Sequence, residues 1–258
     1  MFQEQTKGDV IYTLLGGKDR LFDTGNAPAK FSFNDKVADV FDDMVTRSVP
    51  MYQDVTRSVV DWAFEIYQEG TAIYDIGCST GTTIDAIARK FSKEGKSATF
   101  IGIDSSEPMI YKAIEKLSPW LSEHEVMLRT EEAKKTRIQN ASMVIMNYTL
   151  QFIPVFQRQE LLNKVYSGMN SGGVFILAEK VKSSSKLIHK TQTKLYEQFK
   201  SDQGYSRTEI EKKKEALEKV LIPLTLEKQI DMLRAAGFEH VEPIYKWNNF
   251  VTLVAVKS

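Results

Sequence analysis

Tyr74–Gly81 reads YDIGCSTG, and the turn it encodes decides the fold. It closes the run Thr71–Gly77, TAIYDIG, which is short, nearly all apolar and rich in β-branched residues, the pattern of a strand buried on both faces. The chain then passes Gly77, the small pair Cys78 and Ser79, and Gly81, and enters TTIDAIARKFS, which has helical spacing. Strand, glycine turn and helix in that order make the opening unit of a parallel α/β sheet.

Outward from this unit the alternation repeats. ATFIGID (Ala98–Asp104) is a second buried strand that ends in an acid, and EPMIYKAIEKL (Glu107–Leu117) is a helix with Pro108 in its first turn, where proline is tolerated. EVMLR is a weaker third strand, and ASMVIMNYTLQF contains a fourth. FQRQELLNKVYSGM is a helix, NSGG a loop, and VFILAEK (Val174–Lys180) a fifth strand. Upstream, FNDKVADVFDDMVTRSV (Phe33–Val49) predicts one helix capped by Asn34 and ended by Pro50, and YQDVTRSVVDWAFEIY a second helix stopped by Gly70. Residues 1–30 carry several glycines and read as a loose arm. Past Lys180 the rhythm breaks: residues 184–220 are long, charged and helical in period, with Gly204 between two helices, and form an inserted helical subdomain. A helix closed by Gly237 and two antiparallel strands, HVEPIYKW and NFVTLVAVK, complete the chain. Residues 31–258 are thus expected to be one domain with a doubly wound sheet, mostly parallel, with right-handed crossovers.

Composition narrows the function. Among 258 residues, Lys plus Arg number 34 and Asp plus Glu 34, so the balanced charge gives no general attraction to nucleic acid. Cys78 is the only cysteine, which excludes an internal disulfide and fits a reducing, cytoplasmic compartment. No basic start followed by a long apolar core marks a signal peptide, and no apolar run approaches the ~20 residues of a membrane-spanning helix. His124, His189 and His240 are scattered and, with Cys78, match no metal-ligand spacing, so no metal is expected.

In a doubly wound sheet, ligands sit beyond the C-terminal ends of the strands. Gly77 lets the backbone turn and admits a ligand closely. Asp104 ends the second strand, where a carboxylate can accept both hydroxyls of a ribose. In a dinucleotide loop the middle glycine admits the pyrophosphate; Ser79 stands there instead, which favours a nucleoside without phosphates, S-adenosylmethionine, over NAD. The terminal antiparallel hairpin also favours a class I methyltransferase-like (Rossmann-like) sheet with a helical insertion. Asn147, at the end of the fourth strand, faces the same crevice, although a turn-forming asparagine is the plainer reading. Glu132, in TEEAKK at the exit of the third strand, is placed to contact the adenine amino group; a solvated charge run is its plainer reading.

Several stretches together resemble one family. These are FNDKVADVFDDMVTRSVPMY, YDIGCSTG, NASMVIMNYTLQF, MNSGGVFILAEK, GYSRTEIEKKKEALEKVLIP and AGFEHVEPIYKWNNF. From about Lys30 to Lys257 the chain is similar to carboxy-S-adenosylmethionine synthases, and RSVPMY and NYTLQF are more specific to them than the glycine loop. The resemblance implies an enzyme that converts S-adenosylmethionine and prephenate to carboxy-S-adenosylmethionine and phenylpyruvate, the carbon dioxide lost from prephenate being captured by the methyl carbon. The product would pass to a second enzyme that modifies a wobble uridine in tRNA, so this chain would touch no RNA itself. The resemblance also assigns residues: Tyr52 to the cofactor; Gly77, Cys78 and Ser79 to its methionine part; Asp104 and Ser105 to the ribose; Glu132 and Ala133 to the adenine; and Asn147 unchanged. In the family a neighbouring subunit lends an arginine to the added carboxylate, which implies a homodimer. Here Lys214 stands at that position and keeps the charge without the planar fork; Arg207 is a second cationic candidate.

Two rival readings share the cofactor residues: a conventional methyltransferase acting on a small molecule, and a non-catalytic protein that binds S-adenosylmethionine. Trp62, Phe64, Tyr67, Trp120 and Trp247 are expected to pack helices and hairpin. Tyr196, Phe199 and Tyr205 are expected either to line the substrate site or to form a dimer contact.

Overall fold

The computed structural model describes residues 15–23 and 30–258. Its strands are β1 (Ala72–Ile76), β2 (Thr99–Asp104), β3 (Glu125–Thr130), β4 (Ala141–Asn147), β5 (Met169–Lys180), β6 (His240–Trp247) and β7 (Phe250–Val256). They form one sheet in the order β3-β2-β1-β4-β5-β7-β6. The pairs β1–β2, β1–β4, β2–β3 and β4–β5 are parallel, while β7 runs antiparallel to both β5 and β6. The expected mostly parallel sheet with a terminal antiparallel hairpin is therefore present.

The sheet is covered on both faces, as its apolar strands require. Side chains alternate along each strand. Ile73, Phe100, Ile145 and Ile176 meet Val59, Ile84, Ile87 and Phe91 of helices α3 (Tyr52–Ile66) and α4 (Thr82–Lys93). Tyr74, Ile76, Ile103 and Phe175 meet Leu161, Leu162 and Leu233 of α6 (Val155–Gly168) and α9 (Leu226–Ala236) on the other side. Helix α5 (Glu107–Leu117) starts from Ser106, whose hydroxyl accepts from Met109 N, with Pro108 in its first turn. Trp62, Phe64, Tyr67 and Trp120 pack on the first of these cores, and Trp247 lies against Phe199 at 5.7 Å between ring centroids.

A third core joins Phe22, Phe31, Met44, Met109 and Ala216. Its elements depart from expectation in two ways. The single helix expected over Phe33–Val49 is two, α1 (Asp35–Ala38) and α2 (Phe41–Ser48). Asn34 does cap the first, but the Asp39 carbonyl accepts from Gly17 N at 2.9 Å and Val40 leaves helical backbone at φ −125°. Residues 15–23, read as part of a loose arm, pack against the body. Asp19 N donates to the Asp43 carboxylate at 2.6 Å, an Arg47 Nη donates to the Asp19 carbonyl at 2.8 Å, and Phe22 is buried. Residues 1–14 and 24–29 of that arm lie outside the described residues. The stretch NSGG, expected as a loop, is carried inside β5 as an irregularity: the register against β4 jumps from Ala141↔Met169 to Met143↔Val174.

The region 184–220 holds α7 (Lys186–Asp202) and α8 (Arg207–Ala216), separated at Gly204. Ser206 and Glu209 make a capping box at the start of α8. Tyr205 fixes this unit to the body, donating through its hydroxyl to Asp19 Oδ2 at 2.6 Å while the Arg47 guanidinium lies 4.1 Å from its ring centroid.

Candidate active site

The strand order reverses between β1 and β4, and a crevice forms outside their carboxyl ends. A cavity of about 360 Å³ occupies it. Tyr52, Gly77, Cys78, Ser79, Asp104, Ser105, Glu132, Ala133 and Asn147 all line it. Lys214 and Arg207 do not line the cavity of their own chain: Lys214 is exposed and bonded to Glu197 at 2.8 Å, and Arg207 is exposed and paired with Glu211 at 3.1 Å.

The glycine turn builds one end. Gly77 has φ +79°, and a Cβ on it would collide with the side chain of Thr149. Glycine is therefore required there by the approach of the β4 exit loop as well as by the turn. Gly81 packs against Ala113 and Leu117 of α5 rather than against the strand. Ser79 takes φ +49°, uncommon for a residue with a side chain, and its N–H points to Asp104 Oδ2 at 3.0 Å. Asp104 Oδ1 accepts from Ser106 N at 2.9 Å. Both carboxylate oxygens thus accept a backbone N–H and keep a lone pair, an acceptor pair that suits the hydroxyls of a vicinal diol. Asn147 donates to Thr83 Oγ1 at 3.3 Å, and its buried Oδ1 lacks a hydrogen-bond partner. A buried acceptor without a partner is costly, and this one belongs to a cavity-lining residue, where a bound amine or hydroxyl would satisfy it. These residues fit a nucleoside with an amino-acid tail, and S-adenosylmethionine is one.

Burial shapes the charges. Desolvation pushes the Asp75 carboxyl up to about 7, with Asp104 adding to the rise. Asp104 is raised too, by burial, against the pull of its backbone donors. Desolvation also holds Cys78 as a neutral thiol, its titration pushed well above the ordinary range, so it is no nucleophile. Glu132 sits at the rim, half-exposed, with Lys134 at 2.8 Å and Lys135 at 2.9 Å. Hydrogen bonds from these lysines pull it down to about 2.

Beneath the turn lies a buried ion pair. Lys116 Nζ is 2.7 Å from Asp42 Oδ2, and Thr80 and Thr82 donate to Asp42 Oδ1 at 2.6 and 3.2 Å. It ties α2, the glycine loop and α5 together.

The other end of the cavity was only partly anticipated. Lys180, Lys213, Tyr148 and Tyr196 line it. The Lys180 and Lys200 ammonium groups each lie 4.5 Å from the Tyr196 ring centroid. Of the three aromatic residues left between substrate and dimer contact, Tyr196 lines the cavity, Phe199 packs on Trp247 and Tyr205 bonds Asp19. Lys180 ends β5 as Asp104 ends β2, so the strand-end rule applied to Asp104 would also have found it. Among the histidines, His124 is buried beside Ser92 and Phe100, while His189 and His240 are exposed; none lines the cavity. Among the described residues no group of His, Cys, Asp or Glu is placed to hold a metal ion, and no helix is long and apolar enough to cross a membrane.

Comparison with known proteins agrees with this geometry. A methyltransferase-domain family model matches residues 74–175. The magnesium protoporphyrin IX methyltransferase of Synechocystis, solved with bound SAH, superposes with a TM-score of 0.58 at 17% identity over 83% of this chain and 87% of its own, a likeness of fold. A carboxy-S-adenosyl-L-methionine synthase of Trichodesmium erythraeum is 46% identical over 95% of this chain and 96% of its own length. The synthase of Helicobacter hepaticus is 41% identical over 93% of this chain and 100% of its own. The chain belongs to the carboxy-S-adenosyl-L-methionine synthase family, S-adenosylmethionine-dependent transferases on a methyltransferase fold.

Proposed function

We infer that this protein makes carboxy-S-adenosylmethionine from S-adenosylmethionine and prephenate, releasing phenylpyruvate. The observation that carries the reading is the make-up of the cavity: Asp104, Asn147 and the glycine turn at the exits of β1, β2 and β4, and a cationic, aromatic group of Lys180, Lys213 and Tyr196 toward the end of β5. S-adenosylmethionine supplies a methyl carbon whose protons are acidified by the adjoining sulfonium. The chain's own contribution is placement. Asp104 and Asn147 fix the nucleoside, the buried aromatic walls exclude water, and carbon dioxide shed by the acid is held beside the acceptor carbon before it diffuses away. Prephenate loses hydroxide together with carbon dioxide as its ring becomes aromatic. That hydroxide can take the methyl proton, so the lack of a histidine in the cavity is no obstacle.

In the same reading the protein is a cytoplasmic homodimer. Lys214, outside its own cavity, would reach the neighbour's and hold the added carboxylate by charge alone. The product goes to a tRNA-modifying enzyme, which is consistent with the balanced charge of this chain. Incubation with S-adenosylmethionine and prephenate, followed by mass spectrometry, tests this. A nucleoside heavier by one carboxyl group, with phenylpyruvate in equal amount, is the expected result. An unchanged nucleoside, or a methylated acid, would overturn it.

A further inference from the structure

Lys180 from the end of β5 and Lys213 from α8 line one end of the cavity, and Lys200 from α7 lies beside Tyr196 next to them. Lys200 and Lys213 are buried, and Lys180 is partly buried. Their negative partners are few. Lys213 Nζ is bonded to Ser48 Oγ at 2.9 Å and reaches Asp19 Oδ2 only at 3.5 Å. Among the described residues, Lys180 and Lys200 have no ion-paired carboxylate. Glu197, whose charge reaches both, is bonded to Lys214 at 2.8 Å. The ring of Tyr196 beside both ammonium groups offers only the weak attraction of its π face. Charges of one sign crowded out of water without counter-charge are costly. Their proton affinities register it: burial lowers Lys180 and Lys213 to about 8 and Lys200 to about 7. A small anion entering the cavity would relieve that cost.

We propose that Lys180, with Lys213 lining the same end and Lys200 beside Tyr196, forms the site that takes a carboxylate of the second substrate. This rests on the reading of that substrate as an organic acid, and it places the recognition within one chain. Lys180 is the residue in contact. Lys200 does not line the cavity and acts as a positioning residue, raising the local potential through the Tyr196 ring.

The test measures binding apart from turnover. Protein loaded with S-adenosylhomocysteine, which has no methyl to react, is titrated with prephenate by calorimetry, in wild type, Lys180→Met and Lys180→Arg. The expected result is a loss of about 30-fold or more for Lys180→Met, retention within about 5-fold for Lys180→Arg, and S-adenosylhomocysteine affinity within about 3-fold of wild type in both. Prephenate affinity within about 3-fold of wild type in Lys180→Met would overturn the proposal. Should Lys180→Met fail to fold, Lys200→Met serves as the second variant, with an expected loss of about 5-fold and the same reversal if prephenate affinity is unmoved. If wild type forms no carboxylated nucleoside yet binds prephenate through Lys180, the proposed reaction fails and the acid site stands. If the loaded wild type binds neither prephenate nor malonate, the acid site itself is refuted.

Discussion

The two ends of the cavity are built differently. The nucleoside end is a property of the backbone: a glycine with positive φ, a serine N–H turned onto a carboxylate, and an asparagine at a strand end, all within the exits of β1, β2 and β4. The acid end is a property of side chains brought together from distant places, Ser48, Tyr148, Lys180, Tyr196 and Lys213. The first end is specified by topology. The second depends on how α7 and α8 dock, and so on contacts such as that of Tyr205 with Asp19, 186 residues apart.

Perturbing one end at a time sharpens this contrast. The largest effect is expected from Asp104→Ala. It removes the proposed acceptor of the ribose hydroxyls and strands the N–H groups of Ser79 and Ser106, so S-adenosylmethionine affinity should fall by about 100-fold or more, or ~3 kcal/mol. Calorimetry checks this, and a loss below about 5-fold would move the ribose elsewhere. Next comes Gly77→Ala, which forces a side chain into Thr149 at φ +79°. A loss of about 2–4 kcal/mol in chemical denaturation is expected, with nucleoside binding impaired in the fraction that folds.

Asp75 gives a pH signature of the nucleoside end. Its folded titration at about 7 lies above the ordinary 3.8. Between those values the native state holds a proton that the unfolded chain has lost. Its contribution to stability is thus fully present below about 3.8, declines as pH rises and is gone above about 7. Asp75→Asn should remove that decline. The variant should gain about 1–3 kcal/mol on wild type between pH 5 and pH 7.5, read from denaturant midpoints, and parallel profiles would show that Asp75 is ionised when folded.

Lys214→Ala probes the proposed reach of this residue into a neighbouring subunit. It should weaken retention of the carboxylated nucleoside about 10-fold and leave S-adenosylmethionine nearly unmoved, whereas equal losses for both would show that Lys214 does not read the carboxylate. The smallest effect is expected from Glu132→Gln. Its carboxylate is half-exposed and shared with Lys134 and Lys135, and exposed pairs are weak, so affinity should change by less than about 3-fold.

How much of this was legible follows the same division. β-Branched runs between glycines located the strands, and the acid closing ATFIGID located a carboxylate that lines the cavity, because both signals are local. Thr149 behind Gly77 was not legible: the sequence marks a turn but not what fills the space beside it. Nor was the break between α1 and α2, which follows from a hydrogen bond between Gly17 and Asp39. The KKK run of α8 shows the limit most plainly. Lys213 faces the cavity and Lys214 faces out to Glu197, a difference of one helical step that only packing decides.

The most direct measurement is a crystal structure of the protein with S-adenosylhomocysteine and prephenate bound together. The account predicts the ribose hydroxyls within hydrogen-bond distance of Asp104 and a prephenate carboxylate within reach of Lys180. A nucleoside away from Asp104, or an acid bound with its carboxylates turned from Lys180, would contradict it.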